Sequence, residues 1–592
     1  MDVIKADILI LGAGGAGLFA ALHAYDRHPR LKIVIATKGL IGKGGCSRMV
    51  QGGMNVVLNE KDSLENHFLD TLKGGGFINN QALAWTLVSD APKAVYELEV
   101  KVGCFFDRDE DGRIHQKPFA GQSFDRTVHV ADLTGIQLIS RMTDQIFARN
   151  IKVFEETRGL DLLTSKDGHR IVGALLSDIR TGEIFVVNSK VTIVATGGCA
   201  SMYKISAPSF DKTGDGMAIC FRAGAEFVDM EMVQFHPTGL VAGRSRLNGS
   251  LLEEGLRGAG ARLYNGLGER FMERYDPERL ERSTRDRVAR SSFIEIMAGR
   301  GTVNKGVYLD ASHLGAEFVE KKFPGMVERV KDIGKDLARE KVEVTPTAHY
   351  QMGGVCIDAQ CQTNLKGLLV CGEDAGGVHG ANRLGGNGIC DSTVYGRRAG
   401  DTAALLALEE DLHPYQEAEA EKMRMRWLKP FLRERGENVY EIRSEIENLM
   451  WEKAGLVRTR LHLQEAAYHL ENLIQKIDEA SVADRYLARY NMEWNHIIDV
   501  ANLITVCRMV VNAAKCREES RGAHYREDFP ETDNENWLQN IYQKKGTAFQ
   551  LELTKKPVLL SHFKRENIED CFFERVKKKR TYTESCDGST CL

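Results

Sequence analysis

Gly12, Gly14 and Gly17 fill the turn where an apolar run at residues 7–11 passes into a helix-like stretch at residues 16–25. A second β-branched run follows at residues 32–36. Strand, glycine turn, helix and strand in that order open a parallel nucleotide-binding sheet. The first glycine permits a tight turn, the second lets a diphosphate approach the backbone, and the third lets the helix pack on the strand. A phosphate at that turn meets the positive end of the helix. The second run ends Ala36-Thr37-Lys38, without the acidic residue that would hold a ribose hydroxyl.

Two later segments repeat the arrangement. Residues 191–194 run into Ala195-Thr196-Gly197-Gly198, and residues 367–371 into Gly372-Glu373-Asp374. Nucleotide domains that close around a flavin carry such late segments, so Glu373 reads either as the missing ribose ligand or as a surface carboxylate. The intervening residues 241–344 are polar, helix-rich and rich in arginine. They read as an inserted domain. Residues 414–512 follow a long amphipathic helical pattern, and the last 70 residues are mixed and polar. A chain of 592 residues exceeds one compact core. The expected boundaries are 1–240 and 351–412 for a two-part nucleotide-binding domain, 241–350 for the inserted domain, 413–528 for a helical domain and 529–592 for a C-terminal domain.

With 43% hydrophobic and 27% charged residues the composition is that of a globular protein. A net charge of −4 argues against a nucleic-acid binder. The basic run Lys577, Lys578, Lys579 and Arg580 is short and reads as a solvated tail. The 13 cysteines are scattered without a CxxC, which points to reduced thiols in a cytosolic compartment and to no metal or iron–sulfur ligands of the chain's own. Cys586 and Cys591 fall in a Gly/Ser/Thr end. No apolar run approaches the roughly 18 residues of a membrane span, so membrane association is expected only through a partner.

Three strings pair cations with glycines: Gln234-Phe235-His236-Pro237-Thr238-Gly239, Thr347-Ala348-His349-Tyr350-Gln351-Met352-Gly353-Gly354, and His379-Gly380-Ala381-Asn382-Arg383-Leu384-Gly385-Gly386-Asn387. A substrate with two carboxylates needs fixed, planar donors, and Arg with His supplies them.

These strings resemble the flavoprotein subunit of succinate dehydrogenase and fumarate reductase. So do Phe119-Ala120-Gly121, Arg126-Thr127, Thr134-Gly135, Thr213-Gly214-Asp215-Gly216 and, near the end, Glu519-Ser520-Arg521-Gly522-Ala523-His524. The resemblance runs from about residue 5 to 540. It implies an α/β FAD-binding Rossmann-like domain (1–240 and 351–412) interrupted by an α+β capping domain (241–350), followed by a helical domain and a small C-terminal domain. It implies FAD as cofactor, held by Gly12, Gly14, Gly15 and Gly17, by Thr37 and Lys38, and by Cys46, Ser47, Gln51, Gly52 and Gly53. Ala195, Thr196, Gly197, Asp215, Glu373, Arg383, Gly388 and Ile389 complete that set. It implies that Phe119, His236, Glu253, His349 and Arg383 bind the dicarboxylate. Hydride transfer between flavin and one alkene carbon is then paired with proton donation by Arg285 to the other, and Glu254 and Arg257 relay the proton. The expected partners are an iron–sulfur subunit, then, through it, a membrane anchor or other electron carrier. The expected location is the cytoplasm, on the membrane's cytoplasmic face when those partners are present.

Two departures bear on substrate and cofactor. Glu253 stands where the family commonly has threonine, so it is protonated, turned away, or a sign that plain fumarate is not the preferred substrate. Cys46 stands where many members link FAD to a histidine, so the flavin is expected to be non-covalent and the chemistry to lean to fumarate reduction. A further departure is Gly385-Gly386-Asn387-Gly388-Ile389 for the usual Gly-Ser-Asn-Ser-Leu. The alternative activity is a stand-alone FAD oxidase or reductase of a related acid, such as L-aspartate. A third reading, a flavin-bearing assembly component without catalysis, conflicts with the intact set of His236, His349, Arg383 and Arg285.

Overall fold

The computed structural model describes residues 1–207, 209–547, 550–562, 564 and 568. The basic run at 577–580, Cys586 and Cys591 lie outside the described residues. A seven-stranded sheet runs in the order Lys152–Phe154, Ile33–Ala36, Val3–Leu11, Ile184–Val194, Ile171–Asp178 and Thr157–Thr164, with Leu368–Val370 added beside Ile184–Val194. The strands are longer than the apolar runs suggest, because Val3–Leu11 pairs in register with Ile184–Val194 from Val3↔Val186 to Leu11↔Val194. Ile8, Leu9 and Ile10 are fully buried. Each such side chain is worth about 1.5–3 kcal/mol of transfer free energy.

Register decides where the glycine turns meet. Leu11 lies opposite Ala36 and Val194, and Val370 also lies opposite Val194, all in parallel pairs. The turns after three strands therefore emerge side by side at the carboxyl edge of the sheet, where parallel sheets bind ligands. Gly12 has φ +110°, and a Cβ there would fall 2.1 Å from the carbonyl oxygen of Ala195. A Cβ on Gly17 would fall 2.1 Å from the carbonyl oxygen of Gly12. No other residue fits either place.

A second core forms over residues 240–344, around Leu240, Leu263, Leu309, Val330 and Val344. Its sheet runs Val233–Leu240, Val342–Gln351, Val307–Asp310, Arg262–Tyr264, all antiparallel. Val233–Leu240 and Val342–Gln351 carry His236 and His349, so the strands that enter and leave this region also reach the flavin-side domain.

The helical region holds Glu417–Leu432, Val439–Lys453, Arg460–Asp478 and Met492–Cys516. Asn438, Thr459 and Asn491 accept hydrogen bonds from the first free amides of the last three. By length and composition Met492–Cys516 could cross a membrane, contrary to the expectation that no stretch of the chain is apolar enough. It is a core helix: most of it is buried, and its Asp499 is paired with Lys38 and Arg158. The hairpin Gln539–Lys545 and Leu551–Pro557 joins Phe227–Val228 and Gly354–Val355 in a four-stranded sheet, which ties residues 539–557 to the strands on either side of the second core.

Candidate active site

A cavity of about 550 Å³ runs from the glycine turns to the interface with the second core. Every site residue named from the sequence lines it except Gly17, which packs on Gly12, and Arg257, which lies buried behind Glu254.

At one end the helix Gly15–Arg27 presents its amino terminus with no acidic residue in its first turn. Ser47 Oγ accepts from the Gly15 amide at 3.1 Å. The positive helix end and the close-approach glycines suit a dinucleotide. Thr196 and Gly197 donate their amides to Asp374, the Gly197 contact at 2.9 Å, which fixes the second turn. Burial pushes the Asp374 carboxyl up to about 7. Lys38 and Asp215 are held together with Arg158 and Asp499, and burial is outweighed at Asp215 by Arg158 and Lys38, which hold its carboxyl below the usual range. Glu373 is not a surface carboxylate. It pairs with Lys212 at 2.6 Å, accepts from the Gln351 amide at 2.9 Å and faces the cavity.

Cys46 lines the cavity. Burial raises its thiol, and the cation that opposes this is Lys212 rather than the neighbouring Arg48, which turns back to donate to the Gly42 carbonyl at 2.9 Å. Gly386 and Gly388 stand where the family commonly has serines. A Cβ on Gly386 would fall 2.1 Å from Asn55 Oδ1, and one on Gly388 would fall 2.9 Å from Arg383 Nη1, so these side chains fill the space that serines would need.

At the far end His236, His349, Arg285 and Arg383 converge. The two imidazoles meet edge to face with centroids 5.5 Å apart. Burial first, and nearby arginines second, hold both well below the ordinary histidine range, so both are neutral in the free site. His236 Nδ1 accepts from the Thr238 amide at 3.3 Å, which leaves Nε2 to carry the proton. Arg383 stacks on the Tyr350 ring at 4.4 Å and donates from Nη2 to Gln234 Oε1 at 3.0 Å. Its buried Nε has no partner among the described residues. Burial lowers its pKa to about 10, still cationic at neutral pH. Arg285 donates to the same Gln234 oxygen at 3.2 Å and to Glu254 Oε2 at 2.9 Å from Nε. Glu254 Oε1 accepts from Arg257 Nη2 at 3.2 Å. The three residues thus form one unbroken chain, and Arg285 and Arg257 keep Glu254 ionised despite its burial.

The groups that brace these ones do not stand out in the sequence. Gln234 bridges Arg285 and Arg383, and it sits inside the string that draws attention to His236. Lys212 immediately precedes the Thr213–Gly216 motif. Lys117 gives no local signal, yet its Nζ donates to Glu253 Oε1 at 2.7 Å.

The description "FAD binding domain" matches residues 7–389, and "Fumarate reductase flavoprotein C-term" matches residues 443–580. The chain is 45% identical to an uncharacterized FAD-dependent oxidoreductase of Methanocaldococcus jannaschii, over 91% of this chain and 96% of that one. It is 42% identical to a polypeptide of the fumarate reductase (CoM/CoB) of Methanothermobacter marburgensis, over 91% of this chain and 97% of that one. Among solved structures it superposes on an E. coli quinol fumarate reductase chain with TM-score 0.90 and 32% identity, covering 95% of this chain and 98% of that one. The glycine turns, the converging histidines and arginines and these matches lead to one conclusion: the chain is an FAD-dependent oxidoreductase of the succinate dehydrogenase and fumarate reductase flavoprotein-subunit family.

Proposed function

We propose that this chain interconverts fumarate and succinate and works mainly as a fumarate reductase. The observation that carries the reading is the convergence of His236, His349, Arg285 and Arg383 on the cofactor cavity, with Arg383 Nε left without a partner among the described residues. Such a set matches the two carboxylates of a four-carbon diacid. Bound FAD supplies a two-electron carrier that gives or takes hydride. Arg383 and the two histidines grip the substrate carboxylates, and the ring of Phe119 helps keep water from the reacting carbons. Arg285 gives a proton to the carbon that becomes basic, and Glu254 and Arg257 resupply it. An arginine serves as acid because the developing carbanion is a far stronger base than guanidine, and because Glu254 holds the guanidinium in place.

The electrons reach the site one at a time through an iron–sulfur partner, and that partner links the chain to a membrane anchor or other carrier on the cytoplasmic face. The relatives' names support a component of a larger assembly that reduces fumarate. The test is to isolate the native assembly and supply a reduced viologen dye. Fumarate-dependent dye oxidation and a co-purifying Cys-rich protein are expected. A lone chain that ignores fumarate and oxidises L-aspartate with oxygen would replace this reading with the oxidase.

FAD is held without a covalent bond. A thioether at Cys46 would need a thiolate, and burial works against one. After acid precipitation the yellow colour and fluorescence should remain in the supernatant, whereas a flavin peptide containing Cys46 in the pellet would refute this.

A further inference from the structure

The relay through Arg285, Glu254 and Arg257 works only if its outer member is held in place. Arg257 is fully buried. Its Nη2 donates to Glu254 Oε1 at 3.2 Å and its Nη1 to the Glu281 carbonyl at 2.7 Å, while its Nε has no partner among the described residues. Apart from Glu254 itself, the Glu281 carbonyl is what orients this guanidinium.

That carbonyl sits in a constrained turn. Leu280 has φ +51°, a left-handed conformation that a bulky residue adopts only when its surroundings impose it. The turn Leu280–Arg282 is fixed on several sides. The Leu280 amide donates to the Asp276 carbonyl at 2.8 Å. Arg282 Nη2 donates to the Gly258 carbonyl at 2.9 Å, at the end of the helix Glu254–Gly258. The buried Glu281 carboxylate accepts from Arg270 Nε at 2.9 Å and Nη2 at 2.6 Å, and from the Leu263 amide at 3.1 Å. A forked pair of this kind fixes direction as well as distance. The helix Arg285–Glu295 begins just after the turn, at the proton donor itself. Residues 280–285 thus supply Arg285 on one side of Glu254 and orient Arg257 on the other.

We infer that Glu281 and Arg270 are positioning residues for proton delivery, their ion pair holding the strained turn that aims Arg257 at Glu254. This rests on the reading of Arg285 as the acid. Neither side chain lines the cavity, so both act through Arg257 and not on the substrate. After Arg285 has given its proton to carbon, Arg257 protonates Glu254, Glu254 passes that proton to Arg285, and Arg257 regains one from solvent. No electron moves in these steps. When the pair is loosened, the turn relaxes, the Glu281 carbonyl leaves Nη1, and Arg257 rotates away from Glu254. Glu254 still holds Arg285, so a dicarboxylate binds as before and only the resupply of the proton slows.

The test uses the FAD-loaded enzyme with a reduced viologen dye and fumarate. In Glu281→Gln, kcat should fall about 10–10²-fold, the scale of a misplaced group, while KM stays near wild type. Calorimetry should give wild-type affinity for malonate, a dicarboxylate whose single methylene leaves no carbon pair to desaturate. Heavy water should slow the variant more than it slows wild type, because proton resupply now limits turnover. Arg270→Lys keeps the charge but replaces the fork by a point donor, and it should show the same pattern at smaller size. An unchanged kcat in Glu281→Gln overturns the inference. So does a slow variant whose solvent isotope effect matches wild type, or one that loses malonate affinity in step with rate, since both mark a general structural role. Should Glu281→Gln fail to fold, Arg270→Lys decides alone by the same criteria. Arg257→Lys separates the inference from the reading beneath it: a wild-type rate and isotope effect in that variant would remove the relay itself.

Discussion

Two groups of buried arginines behave in opposite ways. Arg517 and Arg521, around the Glu519–His524 motif, are saturated. Arg517 donates to Glu231 at 2.6 Å, Glu519 at 2.9 Å and the Gln539 carbonyl at 2.9 Å, and Arg521 donates to both oxygens of Glu519 and to the Gly76 carbonyl. Arg383 has an Nε unpartnered among the described residues, and its Nη1 reaches only its own neighbour's carbonyl at 3.3 Å. Both groups are buried, so burial does not mark a site. Spare donor capacity beside a cavity does. The Arg517 group holds Asp229 and Glu231, the end of Met492–Cys516 and the strand Gln539–Lys545 together. The Arg383 group is left incomplete, and a diacid would complete it.

The largest effect that would break this comparison is at Arg285. Arg285→Lys keeps the charge but loses the planar contact to Glu254 and Gln234. Fumarate reduction should fall about 10²–10⁴-fold, the usual cost of a lost general acid, while FAD content and the thermal midpoint stay near wild type. Dye-linked kinetics beside flavin absorbance decide it, and a variant with a large fraction of wild-type rate would remove Arg285 from the chemistry.

Arg517→Met should show the converse. It strands Glu231 and Asp229 without their cation, while Glu519 keeps Arg521, and breaking a buried ion cluster in this way costs about 3–5 kcal/mol. Chemical denaturation should register this loss, while folded protein at low temperature should keep its affinity for fumarate. A variant as stable as wild type but catalytically dead would show that the two groups had been assigned the wrong way round.

A smaller effect lies beneath Arg383, where Asp391 accepts from Tyr350 at 3.4 Å and burial raises its carboxyl to about 7. The folded pKa lies above the unfolded value, so between about pH 4 and 7 the unfolded chain binds fewer protons than the native one. Wild-type stability therefore loses this contribution as pH rises through that window. Asp391→Asn has no such titration, and its thermal midpoint relative to wild type should climb from pH 5 to pH 8. A pH-independent difference would show that Asp391 is ionised in the fold.

The nucleotide half of the site was legible because its chemistry is local. Gly12, Gly14 and Gly17 each answer a backbone constraint within a few residues, and the helix that follows supplies the charge. His236, His349 and Arg383 were legible as strings. Their relation to each other was not, since Gln234 joins Arg383 to Arg285 across 149 and 51 residues of sequence separation. The Glu519–His524 motif was legible as a likeness, but nothing local distinguished its saturated arginines from those of the site.

The sequence by itself determined the dinucleotide turn, the later strand that returns to the same sheet and the strings that carry His236, His349 and Arg383, because local spacing and residue order carry those constraints. Tertiary structure alone decided which charges are neutralised and which remain free. Lys117 finds Glu253 over 136 residues and Lys38 finds Asp499 over 461. The state of a buried charge is set by whatever the fold brings within a few ångströms of it, and no window along the chain contains that information.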